Sequence, residues 1–445
     1  MMAKRNRLLH WQVVTLLVML LGYSGYYLCR SNFSVAIPLI AGELVVRGLS
    51  PGMARIKLGT IASLGVAAYA IGKFPAGALS DHLGGRRNFL AGMFGSVLCV
   101  LLFALSGGLP LFTLAWVGNR LVQSLGWAGV VKVSSRWFSY HSYGTVMAII
   151  SLSFLFGDAA SRAFLAWLIG NDLGWRGVFV VAAAVLFVLF LLNLVLLKKT
   201  PAEIGEPEPL ANPAAVIKEQ ALMESRRDLW RTLRTLSLDS GFRLVCILSF
   251  TFTLVRETFN LWTQTHFVQA LGRSDEVAAR ESALFPLFGG LSVLLCGVLS
   301  DRLKQGGRAA IMFYGLLFAG AVLLLLGHFH FANSRALPVA LVTLVGFLMI
   351  GPYSYLAGAI SLDLGGKAGG ATTSGIVDGV GYLGGILAGD SVARVSVAYG
   401  WQGAFTILAV AVWLSSIAAF SYQRHIRTKV HAAAVLPAVD LEHPS

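Results

Sequence analysis

The chain has 445 residues, 56% of them hydrophobic and 13% charged, with a mean hydropathy of +0.72. A soluble globular domain carries about 25% charge, so the composition excludes a water-soluble fold and indicates an integral membrane protein. The net charge of +14 does not point to nucleic acid, because the basic residues stand between apolar runs rather than along one face.

Lys4-Arg5-Asn6-Arg7 precedes an apolar run from about 11 to 40. That run is too long for a signal peptide and lacks a small-residue cleavage site, so it reads as the first span. Near its middle stands Arg30, with no carboxylate in its own segment before Glu43. A cation at a helix centre costs roughly 2.5–3.5 kcal/mol on insertion scales. Arg30 is therefore expected to face protein, a water-filled cavity or an anion, and is the first functional candidate.

Eleven further apolar runs are long enough to cross a hydrocarbon core about 30 Å thick. They lie near 58–79, 88–107, 110–131, 144–169, 175–197, 242–270, 282–300, 309–329, 337–361, 371–397 and 401–422. The sequence thus predicts an all-α membrane protein of twelve transmembrane helices. Residues 1–197 form an N-terminal six-helix bundle, 198–241 a polar, Pro-rich linker, 242–430 a C-terminal six-helix bundle, and 431–445 a disordered tail. With the N-terminus inside, the inner segments hold 22 of the 35 Lys and Arg residues and the outer loops 7. This asymmetry predicts that both termini are cytoplasmic, in the inner membrane of a cell.

Cys29, Cys99, Cys246 and Cys296 all lie inside apolar segments without ligand spacing, so neither disulfides nor a metal site is expected. No nucleotide-binding loop and no nucleophile beside an oriented base is visible. An enzyme is not expected, and no cofactor.

The two halves repeat. Gly77-Ala-Leu-Ser-Asp81-His-Leu-Gly-Gly-Arg86-Arg87 returns 220 residues later as Gly297-Val-Leu-Ser-Asp301-Arg302-Leu-Lys-Gln-Gly-Gly-Arg308. Gly174-Trp175-Arg-Gly-Val-Phe179 returns 226 residues later as Gly400-Trp401-Gln-Gly-Ala-Phe405. Arg256 also stands 226 residues after Arg30, so two arginines occupy equivalent depths in spans one and seven. Such duplication is common in transporters.

The Gly-x-Leu-x-Asp-x-x-Gly-x-Arg-Arg pattern resembles the loop motif of the major facilitator superfamily, and Arg120-Leu-Val-Gln-Ser-Leu-Gly126 resembles its Arg-x-x-Gln-Gly motif. More narrowly, Tyr26-Tyr-Leu-Cys-Arg-Ser-Asn-Phe33, Gly72-Lys-Phe74, Gln123-Ser-Leu-Gly-Trp127 and Thr200-Pro-Ala-Glu-Ile-Gly205 resemble the organophosphate:phosphate antiporter family. So do Gly346-Phe-Leu-Met-Ile-Gly-Pro352 and Gly381-Tyr-Leu-Gly-Gly385. The resemblance covers roughly residues 10–430.

It implies that Arg30 and Arg256 bind phosphate, one from each half. A guanidinium suits this role because its planar fork gives two parallel bonds to phosphate oxygens. The competing reading of Arg256 is a pair with its neighbour Glu257. Lys73 matches the family's lysine in span two and either adds positive potential to the cavity or reaches to the membrane surface. Tyr27 and Tyr382 are candidate polar-tipped cavity walls. Asp81, Arg86 and Arg87, with Asp301, Arg302 and Arg308, are expected to form a charge latch at the cytoplasmic helix ends that breaks when the carrier opens inward.

Several positions depart from the family. Phe154 stands where the glycerol-3-phosphate branch has a histidine, Ser31 where lysine is usual, and Pro286 where that branch has an acid. The chain has its own intramembrane charges instead. Asp158 and Arg162 are spaced i, i+4, as are Asp390 and Arg394, so each pair can neutralise itself on one helix face; Asp158 and Arg162, the pair nearer mid-membrane, are also candidates to touch substrate. Asp378 has no basic residue within a turn, and is left to orient an arginine, accept a substrate group or take up a proton.

The expected activity is exchange of a phosphorylated organic metabolite for inorganic phosphate by alternating access. The alternatives are a membrane-bound organophosphate sensor and a proton-coupled organic anion symporter. The expected partners are the lipid bilayer and a small anionic substrate, the protein acting as a monomer.

Overall fold

The computed structural model describes residues 2–209, 237–302, 306–328 and 336–435, with the side chains of some helical residues, Asp81 and Asp301 among them, outside that description. The first half comprises α1 (Met2–Val46), α2 (Pro51–Leu83), α3 (Gly85–Leu105), α4 (Leu109–Trp137), α5 (Tyr140–Gly170) and α6 (Trp175–Leu196). The second comprises α7 (Ser240–Leu271), a short α8 (Asp275–Ser282), α9 (Leu284–Arg302), α10 (Gly307–His328), α11 (Leu337–Tyr353), α12 (Ser361–Leu387) and α13 (Asp390–Val435). A bilayer leaves backbone groups no water to bond, and helices satisfy them internally.

Local sequence sets the breaks. Ser50 accepts the Met53 N–H at the start of α2, with Pro51 in the first turn. Gly272, left-handed at φ 62°, closes α7 with its N–H on the Phe267 carbonyl. Gly400, at φ 70° and ψ 178°, interrupts α13.

Among the described residues, nine helical stretches meet the length and hydropathy of a membrane crossing. One of them, Thr373–Thr428, is divided into two crossings at Gly400. Arg120, Lys132 and Arg136 make α4 more polar, yet its 29 residues are ample for a crossing. α11 has 17 residues and continues into a π-helical turn over Leu356–Ile360. The twelve crossings expected from sequence are therefore present.

Three boundaries differ from the sequence reading. The eighth crossing is preceded by α8, because Ser274 caps a new helix start by accepting the Val277 N–H. The eleventh begins at Ser361, ten residues early, since Lys367 and the small residues around it from Gly365 to Gly375 lower its hydropathy without breaking the helix. The last helix runs through Val435, into the segment expected as a tail. The middle of the linker, 210–236, and the end of the tail, 436–445, lie outside the described residues.

Each half has its own core. In the first, the Phe103 ring stacks on Phe112 at 4.9 Å and on Phe179 at 4.6 Å, and Phe33 stacks on Trp116 at 4.4 Å. In the second, Phe259 stacks on Phe285 at 5.4 Å and on Phe405 at 5.9 Å. The outer face of α6 exposes Val188, Leu191 and Val195, as a helix facing lipid requires.

The halves meet mainly towards the end opposite the termini. There Arg55 donates to the Ser396 hydroxyl at 3.1 Å, and Gly59 and Gly389 bring α2 and the α12–α13 junction into backbone contact. The seam continues through Thr60, whose hydroxyl donates to Asp390 at 2.6 Å. Arg162 of α5 donates to the Asn260 carbonyl of α7 at 2.8 Å. Nearer the termini the described contacts across the seam end at Leu155 against Gly290 and at Lys73 with Asp378.

Candidate substrate-binding cavity

Between the halves lies a cavity of about 160 Å³, where a single water needs on the order of 10–15 Å³. It has room for a small organic molecule. Arg30, Arg120 and Arg162 line it from the first half and Arg256 from the second, with Asp158 and Glu257 as the lining carboxylates. Four guanidiniums against two carboxylates leave a surplus of two positive charges.

α1 and α4 together hold Arg30. Its Nε donates to Gln123 Oε1 at 3.2 Å, and a terminal nitrogen donates to the Tyr27 hydroxyl at 3.3 Å. Gln123 is itself fixed, its amide nitrogen bonding the Ser96 hydroxyl and Asn119 Oδ1, each at 3.2 Å. The guanidinium lies 4.7 Å from the Tyr27 ring centre and 4.6 Å from that of Tyr69. Such cation–π contacts are strongest where water is excluded. Among the described residues no carboxylate lies within ion-pair distance of Arg30.

Arg256 differs. A terminal nitrogen donates to Glu257 Oε1 at 2.8 Å, its guanidinium sits 4.6 Å from the Tyr353 ring centre, and its Nε has no partner. It lines the same cavity as Arg30 but is not the solitary cation that its sequence depth suggests.

Asp158 and Arg162 pair at 3.3 Å as their i, i+4 spacing allows, with only 3% of the Arg162 side chain and 8% of the Asp158 side chain exposed. The Ser31 hydroxyl bonds the same carboxylate, so Asp158 is held from two sides. Asp390 and Arg394 also pair, at 2.6 Å, but with the Arg394 side chain 62% exposed and outside the cavity.

Lys73 and Asp378 correct the sequence reading. Neither lines the cavity. Lys73 Nζ donates to Asp378 Oδ2 at 2.7 Å, and the ammonium lies 4.7 Å from the Tyr382 ring centre. Asp378 thus has a basic partner, supplied by α2 of the other half. Tyr27 and Tyr382 both line the cavity.

The expected latch is one that breaks when the carrier opens inward, and in the described state, closed opposite the termini, its arginines are held as follows. Arg86 donates to the carbonyls of Leu194 at 2.6 Å and Leu197 at 2.5 Å, tying the start of α3 to the end of α6. Arg308 pairs with Asp363 at 2.7 Å. Both bonds stay inside one half, because the helix ends that bear these residues face orphan carbonyls and nearby acids of their own bundle. Arg87 and Arg302 are exposed. The Asp81 and Asp301 side chains lie outside the described residues.

Sequence reading missed Tyr69 and the place of Arg120. Tyr69 stands between three cations, 4.6 Å from Arg30, 4.8 Å from Arg120 and 5.3 Å from Lys73, and edge-on to Tyr382 at 5.6 Å. It had no signal beyond being one of many aromatics. Arg120 had one: it is a further arginine inside an apolar run, three residues before Gln123 on the same helix face.

Comparison with known proteins agrees with this architecture. The Major Facilitator Superfamily matches residues 19–389. A probable hexose phosphate transport protein of Chlamydia muridarum is 27% identical, covering 90% of this chain and 88% of its own. The membrane sensor protein UhpC of Escherichia coli is 26% identical, covering 92% of this chain and 91% of its own. In fold, the chain resembles a bacterial homologue of the human lysosomal transporter Spinster, with a TM-score of 0.76 at 15% identity, over 94% of this chain and 98% of the other. The chain belongs to the Major Facilitator Superfamily, as a transporter-type membrane protein rather than an enzyme, and its relatives are those of the organophosphate:phosphate antiporter family that its motifs resemble.

Proposed function

We propose that the protein exchanges a phosphorylated organic metabolite for inorganic phosphate across the inner membrane, as a monomer with both termini in the cytoplasm. The observation that supports this reading is the cavity itself: Arg30 from one half and Arg256 from the other line one space with a surplus of positive charge. A phosphoryl group has oxygens enough to accept from both guanidinium forks at once. Bridging the halves in this way draws them together, whereas an empty cavity leaves like charges facing one another.

The two six-helix bundles, 1–197 and 242–430, rock about this site, with 198–241 as the tether. In the described state the seam is closed opposite the termini. Transport breaks those contacts, among them Arg55 to Ser396 and Thr60 to Asp390, and closes the other side. The name of the chlamydial relative, a hexose phosphate transport protein, agrees with a phosphorylated substrate.

The test is uptake of radiolabelled phosphate into phosphate-loaded proteoliposomes, with competing organophosphates outside. Exchange that needs internal phosphate is expected, and Arg30→Lys and Arg256→Lys should each reduce it at least about tenfold, because lysine cannot reproduce the fork. Unchanged exchange in both variants would overturn the site. The sensor relative supports a second reading, a receptor that binds an organophosphate without moving it. Saturable binding by the purified protein with no exchange would favour that reading. Proton symport gains no support, since Asp158 and Asp378 both stand in ion pairs.

A further inference from the structure

We propose that Arg120 of α4 is a phosphate-binding residue, and that Arg30 and Arg120, both in the first half, are the pair that first receives the phosphoryl group. This rests on the exchange reading above and specifies its site.

Arg120 lines the cavity and is 4% exposed, yet one of its terminal nitrogens has no hydrogen-bond partner. Among the described residues no carboxylate lies within ion-pair distance of it. A buried guanidinium without a counter-charge is strongly unfavourable, and two of the other cavity arginines avoid that state: Arg162 has Asp158 and Arg256 has Glu257. Arg30 and Arg120 alone of the four lack a carboxylate. They also converge, because their guanidinium carbons lie 4.6 and 4.8 Å from the centre of the same Tyr69 ring. Two like charges around one ring repel unless an anion joins them.

The sequence arranges this convergence. Gln123, one turn along α4 from Arg120, accepts from Arg30 Nε, so a single helix face places both guanidiniums. Gly65 of α2 leaves the room: a Cβ there would stand 2.6 Å from Trp116 Nε1 and 3.0 Å from Arg120 Cγ. Two guanidiniums without carboxylate partners favour a dianion. A phosphomonoester or inorganic phosphate near neutral pH carries between one and two charges and is readily held as the dianion, whereas a phosphodiester carries one. Arg256 then joins by exchanging its bond to Glu257 for the bound phosphoryl oxygens.

The experiment compares wild type, Arg120→Gln and Arg120→Lys in phosphate-loaded proteoliposomes. It measures the external phosphate giving half-maximal exchange, and inhibition by a phosphomonoester against the phosphodiester of the same alcohol. Arg120→Gln is expected to raise half-saturation about tenfold or more, the loss of one charge-assisted contact, and to reduce the preference for monoester over diester. Arg120→Lys, which keeps the charge, should retain more of that preference. Thermal melting of the solubilised variants, each required to elute as a single species, separates a binding defect from misfolding. If Arg120→Gln folds and keeps both wild-type half-saturation and wild-type preference, Arg120 does not bind phosphate, while exchange itself stands. If the wild type shows no phosphate exchange, the proposed function fails first.

Discussion

Lys73 Nζ and Asp378 Oδ2 stand 2.7 Å apart although 305 residues separate them in the chain. The bond joins α2 of the first half to α12 of the second, at the last described contact before the halves diverge towards the termini. It couples transport geometry to one charge pair. Both side chains are about a quarter to a third exposed, so the pair is worth on the order of 1 kcal/mol. Asp378→Asn or Lys73→Met should lower exchange about fivefold, and the swap Lys73→Asp with Asp378→Lys should recover at least half of the loss. A swap no better than the single variants would show that position, not pairing, matters.

Glu257 holds Arg256 at 2.8 Å and so competes with any anion for it. Glu257→Gln should increase apparent phosphate affinity several-fold while making the empty protein less stable, since it leaves a half-buried cation unpaired. The two effects are read together by melting the solubilised protein with and without phosphate. Bound ligand stabilises by RT ln(1 + [L]/Kd), so the phosphate-induced rise in Tm should be larger in Glu257→Gln than in wild type.

Asp158 and Arg162 are a buried pair, and losing one member leaves the other unpaired at about 3–5 kcal/mol. Asp158→Asn should give poorly folded protein. The apolar double variant Asp158→Leu with Arg162→Met should melt near the wild-type temperature. Measured melting curves that place the double variant below the single one would contradict the pairing as the main role of Asp158.

At the closed side of the seam, a Cβ on Gly389 would lie 2.4 Å from the Gly59 carbonyl oxygen. Gly389→Ala must wedge α2 away from α12, and overpacking of this kind costs typically 1–3 kcal/mol. The variant should favour the state open on that side. A membrane-impermeant thiol reagent applied there should label Leu261→Cys, a cavity position, faster in Gly389→Ala than in the parent. Equal labelling would mean that the helices absorb the methyl group without opening.

The twelve crossings were legible in sequence because lipid demands long apolar runs. Arg30 and Arg256 were legible because a charge inside such a run is conspicuous and the halves repeat at a fixed spacing. What was not legible depends on distance between helices. Nothing local links Lys73 to Asp378, and nothing marks Tyr69 apart from other aromatics. Arg120 lay inside a recognised motif, and its lack of a carboxylate emerges only when the surrounding helices are in place. The Asp158–Arg162 pair was readable from i, i+4 spacing, but not its burial, which distinguishes it from the exposed Asp390–Arg394 pair.

The two surplus positive charges of the cavity bear on the membrane potential. Loaded with a dianion, the site is electrically neutral, and switching its access from one side to the other moves no net charge through the field. Empty, it drags about two charges through whatever fraction of the field drops across it, and a full charge crossing 100 mV is worth about 2.3 kcal/mol. On the proposed exchange reading, voltage therefore acts on the empty carrier far more than on the loaded one, which favours exchange over return of the unloaded protein.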